Sequence, residues 1–107
     1  MVHKIKGKYL FTSDASHGWI KVPIEELKEL GIADKITGYS YQSSDGKFVY
    51  LEEDADATIF VDAFKKRFSK EPEFKTKSVN YSRIRNLPHY KKQSIESKEF
   101  QRGLMDW

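Results

Sequence analysis

Residues 43–68, SSDGKFVYLEEDADATIFVDAFKKRF, change hydrophobic period once, and that change decides the fold. From Lys47 to Glu53 the side chains alternate, Phe48 and Tyr50 against Val49 and Leu51, in the two-residue repeat of a strand. Beyond Asp56, the residues Ala57, Phe60, Val61, Phe64 and Phe68 recur at helical spacing, so 56–68 reads as an amphipathic core helix. Asp54 or Asp56 is placed to cap it, because a carboxylate there can accept from the free N–H groups of the first turn. On the other side, Ser43-Ser44-Asp45-Gly46 is hairpin chemistry: glycine accepts the positive φ of a tight turn. The strand joined by that turn is Lys35 to Gln42, with Thr37, Tyr39 and Tyr41 on one side.

Working outward, Lys4 to Phe11 alternates Ile5, Gly7, Tyr9 and Phe11 and reads as a first strand, Ser13 to Gly18 as a loop, and Trp19 to Val22 as a second strand. Pro23 suits a first helical position, Glu25 and Glu26 favour the positive end of a helix, and Gly31 supplies a left-handed cap, giving a short helix over 23–30. Towards the C-terminus, Glu73 to Tyr81 reads as a strand broken at Asn86 to Pro88, and Ser94 to Arg102 as a helix ending before Gly103. The expected fold is therefore α+β: a small, mainly antiparallel sheet with two helices packed on one face. Residues 1–90 make a single domain, and 91–107 a basic C-terminal extension with a short helix.

The chain has 107 residues, enough for one core and too few for two. Seven Phe, six Tyr and two Trp supply the bulk to fold without a disulfide or metal, and the lack of cysteine excludes thiolate zinc sites and cysteine nucleophiles. The N-terminal MVHKIK has no signal-like apolar run and no stretch approaches a membrane span, so the expectation is a cytoplasmic protein without a membrane partner.

Charge is divided unevenly: residues 1–64 hold 7 Lys/Arg against 11 Asp/Glu, whereas 65–107 hold 12 against 5. The acidic half ends in Glu52, Glu53, Asp54 and Asp56; the basic half carries Tyr81, Arg83, Arg85, His89, Tyr90, Lys91 and Lys92. Lys65, Lys66 and Arg67 already have a reason to be cationic at a helix C-terminus, and Lys75 and Lys77 have one on an exposed edge strand. The acidic cluster lacks the Asp-x-Asp-x-Asp-Gly pattern, and Glu52 and Glu53 point to opposite faces of a strand. Capping and docking therefore explain it better than Mg²⁺ or Ca²⁺, even with His17 nearby if the first loop folds over. His17 and His89 name no nucleophile, and no phosphate loop or nucleophile elbow is present, so no catalytic residue, metal or cofactor is expected. Trp107 reads as packing onto the domain or anchoring an interface.

The segments Ser16-His17-Gly18-Trp19-Ile20-Lys21-Val22-Pro23, Leu30-Gly31-Ile32 and Tyr50-Leu51-Glu52-Glu53-Asp54 resemble small, poorly characterised accessory proteins carried by phages and plasmids. In those proteins an acidic segment similarly leads into a helix, and an element like Arg83-Ile84-Arg85, followed by an aromatic such as Tyr90, comes near the end. The likeness spans most of 16–90. It implies a mobile-element setting and, by association, inhibition of a host defence system in the manner of an anti-CRISPR.

The chain thus reads as a non-enzymatic macromolecule-binding protein that contacts a host or defence protein, or its nucleic-acid complex. Its expected partner-binding residues are Arg83, Arg85, Tyr90, Lys91 and Lys92 with the acidic rim Glu52, Glu53 and Asp56. The alternative is nucleic-acid binding, with Arg83, Arg85, Lys91 and Lys92 on phosphates and Tyr81 and Tyr90 stacked on bases. The complementary acidic and basic faces also allow a homodimer. Reversing Arg83 and Arg85 to Glu is expected to leave thermal stability nearly unchanged.

Overall fold

The structure, a computed structural model, describes residues 5–91. Five strands form one sheet in the order β3-β4-β2-β1-β5: β1 is Lys8–Ser13, β2 Gly18–Pro23, β3 Tyr41–Gln42, β4 Phe48–Glu52 and β5 Glu73–Ser78. All neighbours pair antiparallel except β1 and β5, which run parallel. Helix α1 spans Ile24–Glu29 and α2 spans Ala57–Phe68, giving the expected α+β class with a mostly antiparallel sheet.

One face of the sheet, carrying Tyr9, Ile20, Val22, Val49 and Leu51, shares a buried cluster with Ile24 and Leu27 of α1 and Ala57, Phe60 and Phe64 of α2. Phe60 and Phe64 meet the Tyr9 ring edge-on, at centroid distances of 4.9 and 6.1 Å. Of the five apolar side chains in the α2 stripe, Ala57, Phe60 and Phe64 are buried, while Val61 and Phe68 pack partly exposed against the core. The stripe therefore contributes somewhat less than the roughly 10 kcal/mol that full burial of all five would give before chain entropy is subtracted. Tyr9 also donates to the Glu26 carboxylate at 2.5 Å; burial, then that bond, pushes its phenol well above the usual tyrosine range.

The first strand starts at Lys8, not Lys4, because Gly7 sits at φ 79°, outside the extended region. Ile5 nevertheless packs against the core. The larger departure is at 35–42, where only Tyr41 and Gln42 are strand and the chain before them is turns. The cause is Asp56. It stands at the N-cap position of α2 but makes no capping bond there; instead its fully buried carboxylate accepts the Thr37 N–H (3.1 Å), the Thr37 hydroxyl (2.9 Å) and the Ser40 hydroxyl (2.5 Å). A backbone gathered around one carboxylate cannot lie flat along a strand, and Ile32, Ala33 and Ile36 are pulled into the core with it.

The hairpin formed as read: Gly46 has φ 73°, Ser43 and Phe48 close the turn, and Tyr41 pairs with Tyr50. Gly31 at φ 73° ends α1. At the far edge, β5 is exposed along its whole length and ends at Ser78, followed by a 3₁₀ turn at Arg83–Asn86. The expected helix at Ser94–Arg102, together with Lys92 and Trp107, lies outside the described residues. Among the described residues, no helix is long and apolar enough to cross a membrane.

Candidate functional site

Alternation sends Trp19, Lys21, Phe48, Tyr50 and Glu52 to the sheet face opposite the α1–α2 core. The segment after β5 crosses that face and is tied to it at both ends. Asp14 is the first tie: its side chain is 2% exposed, and its carboxylate accepts the Ser16, His17 and Ser82 N–H groups and two guanidinium bonds from Arg85, both 2.7 Å. The Arg85 bond, ahead of the backbone donors, holds the Asp14 carboxyl well below the usual carboxylate range. The second tie lies beyond Pro88: Pro88 O accepts from Gln42, the Tyr90 N–H donates to Ser40 O (2.8 Å), and the buried Tyr90 hydroxyl donates to Ala33 O (2.5 Å).

Between these ties lies a cleft of about 450 Å³ lined by His17, Trp19, Tyr39, Tyr41, Glu52, Asp54, Arg85 and His89. Rings dominate its walls. His89 stacks on Tyr41 (4.7 Å, 28°) and holds Gly38 O through Nδ1 at 2.6 Å, while Tyr41 meets Trp19 edge-on at 6.4 Å. The Arg85 guanidinium lies over Trp19 at 5.3 Å and over Tyr81 at 5.6 Å. Trp19 is 1% exposed, and its indole Nε1 is the buried side-chain polar atom left without a partner among the described residues.

One wall is ionisable. His17 Nδ1 lies 3.3 Å from Glu52 Oε1, and Glu52 Oε2 accepts the Asp54 N–H at 2.7 Å. One ligand atom from each of His17, Glu52 and Asp54 falls within 4.8 Å of the others, the set among the described residues best arranged to hold a metal ion. Glu53 and Asp56 stand apart from it.

The same sheet face carries a second depression, about 370 Å³, lined by Lys21, Lys77, Arg83, Tyr50 and Tyr81 among others. Register brings these together: Lys75, Leu10, Lys21 and Tyr50 lie in one row across β5, β1, β2 and β4, with Lys77 and Thr12 in the next. Tyr81 is 62% exposed, and the Lys21 ammonium sits over Phe48 at 4.3 Å. No ion pair among the described residues engages Lys21, Lys77 or Arg83. Arg85, stacked on both Trp19 and Tyr81, stands between this groove and the ring-walled cleft.

The residues singled out from sequence thus divide. Arg83, Glu53, Tyr81 and Lys91 are exposed. Glu52, Asp56 and Tyr90 are buried, and Arg85 is largely spent on Asp14. The expectation that Arg83 and Arg85 can be reversed together at no cost to stability is corrected: Arg85→Glu would place a second carboxylate against a buried one. Sequence reasoning treated Trp19 as a core anchor and Tyr39 and Tyr41 as a strand face, and did not find the cleft they line with His89 or the roles of Lys21 and Tyr50. The lining residues are scattered from 17 to 89, and no local pattern links them. No protein-family model, curated protein or solved structure matches the chain.

Proposed function

We propose that this is a non-enzymatic macromolecule-binding protein and that its ligand is single-stranded nucleic acid, laid across the sheet face opposite the core. The observation that carries this reading is the groove in which Lys21, Lys77 and Arg83 surround Tyr50 and Tyr81. Cations without internal anions favour a phosphate backbone, and an exposed ring offers a stacking surface to any unpaired base. The adjoining cleft supports the same reading. Its rings Tyr39, Tyr41 and His89, all at least part-exposed, add stacking surface beside the groove. Docking to a host protein has less support, because Asp56, Tyr90, Glu52 and Arg85 are occupied inside the fold and leave Glu53, Arg83 and Lys91 as its free described members. In a mobile-element setting, such a domain would act by occupying a nucleic acid, or the nucleic-acid complex of a defence system.

The test is fluorescence anisotropy of labelled single-stranded DNA, RNA and duplex DNA at two salt concentrations. Single strands should bind more tightly than duplex. Removing the Lys77 or Arg83 charge by alanine should reduce the logarithmic salt slope by about 0.7 for each phosphate no longer neutralised. Tyr81→Ala should weaken binding by about 1–3 kcal/mol. Absence of binding at low salt would refute the reading and leave a protein partner.

A further inference from the structure

We propose that His17, Glu52 and Asp54 form a binding site for one divalent first-row transition-metal ion of the zinc and manganese class. This site is independent of the nucleic-acid groove and occupies a different wall of the cleft.

The spacing of the donor atoms already suits an ion. Metal bonds of about 2.1 Å separate neighbouring ligand atoms by about 3.0 Å in an octahedral and about 3.4 Å in a tetrahedral arrangement. The His17 Nδ1 to Glu52 Oε1 contact, a hydrogen bond of 3.3 Å, falls within that span, so an ion taking the place of the shared proton needs little change in their separation. Asp54 completes the group within 4.8 Å, and as an exposed residue in the turn after β4 its side chain has room to close the remaining gap.

The donors are also matched in charge and held in place. Two carboxylates balance the charge of a divalent ion, and one imidazole with two carboxylates favours a borderline metal over Ca²⁺ or Mg²⁺, which favour oxygen donors alone. Glu52 Oε2 accepts the Asp54 backbone N–H, and the His17 backbone N–H donates to Asp14 Oδ1, which fixes the loop that carries the imidazole. Such outer bonds orient ligands in metal sites. The Arg85 charge in the same cleft is neutralised by its two bonds to Asp14.

A further sign comes from outside the three ligands. The Trp19 indole N–H is buried without a partner, in a ring that lines the same cleft 6.1 Å from the His17 ring. Buried donors are normally satisfied, and three protein ligands leave coordination positions for water or an anion that could accept from it.

The experiment is calorimetric titration of the full chain with ZnCl₂, alongside Co²⁺ titration followed by visible absorption. One equivalent of each metal should bind, with Co²⁺ developing ligand-field bands. His17→Ala and Asp54→Ala should each weaken binding by at least about tenfold, since removing a ligand costs no less than removing a group that orients one. Glu53→Ala, an exposed neighbour outside the set, should retain wild-type affinity. Both ligand positions are at least part-exposed, so the variants should fold; Asp54→Asn serves if Asp54→Ala does not. No saturable binding would overturn the proposal. So would equal loss in Glu53→Ala, which would mark a diffuse acidic surface, or unchanged affinity in His17→Ala.

Discussion

Replacing Asp56 by Ala tests whether one buried carboxylate organises the segment between α1 and β3. The side chain is fully buried and receives three donors: the Thr37 N–H, the Thr37 hydroxyl and the Ser40 hydroxyl. Bonds to a charged acceptor contribute about 1.5–3 kcal/mol each, and an orphaned buried donor costs about 1–3 kcal/mol. The two hydroxyls can turn towards other acceptors, whereas the Thr37 N–H is fixed in the backbone. The expected net loss is about 4 kcal/mol, within the range of about 3–5 kcal/mol for breaking a buried charge arrangement. That is a large part of the roughly 5–15 kcal/mol that holds a small domain folded. With a urea m-value near 2 kcal/mol/M, the midpoint should fall by about 2 M. Asp56→Asn keeps the shape but turns an amide NH₂ towards donors, and should lose about half as much. Asp54→Ala, two residues away and exposed, should stay within about 0.5 kcal/mol. The damage should reach the cleft as well, because Ser40 Oγ accepts the Glu52 N–H and the Ser40 carbonyl holds Tyr90. A loss below about 1 kcal/mol with an unchanged m-value would refute this account of the loop.

Two further outcomes concern the core and the cleft. Phe64→Ala removes a ring that is 1% exposed and packed on Tyr9 and Phe68; it should cost about 3–5 kcal/mol in chemical denaturation, and retained stability would contradict the packing described. Asp14 titrates below its ordinary value of 3.8 in the folded chain, chiefly through Arg85, so its contribution is fully present above that value and is lost as pH falls below it. Arg85→Ala brings the folded carboxyl back towards its ordinary value; acid unfolding followed by near-ultraviolet circular dichroism should then begin at higher pH than in the wild type, and coincident curves would show that the pair is not coupled to folding.

Local order along the chain was enough to determine which elements exist. Alternation in Phe48 to Leu51, the helical stripe from Ala57 to Phe68, Pro23 before α1 and Gly46 in the hairpin act over a few residues, so they can be read without knowing the rest. The expected sequence of five strands and two helices is the one observed, with the α+β class. Misreadings arose where a distant group overrides local preference. Tyr39 and Tyr41 looked like one strand face, but Asp56, sixteen residues beyond Ser40, gathers the backbone between them and α1. Asp56 itself looked like a cap or a surface acid and proved to be the acceptor of a buried network. Arg85 looked like a free cation until Asp14, seventy-one positions earlier, was brought against it.

The candidate surfaces belong almost wholly to tertiary structure. Charge asymmetry pointed to the C-terminal half, and Arg83 and Tyr81 are indeed exposed there, but the groove they line needs Lys21 and Tyr50 from β2 and β4, placed beside them by sheet register. The cleft needs His17 from the loop after β1, Glu52 from the end of β4, Asp54 from the turn that follows it, and His89 from the strap beyond Pro88. Local elements follow from neighbours a few residues away, whereas a site is assembled from whatever the topology brings to one place; that is why the sequence alone determined the elements, and only the folded sheet with its crossing strap decided which residues share a surface.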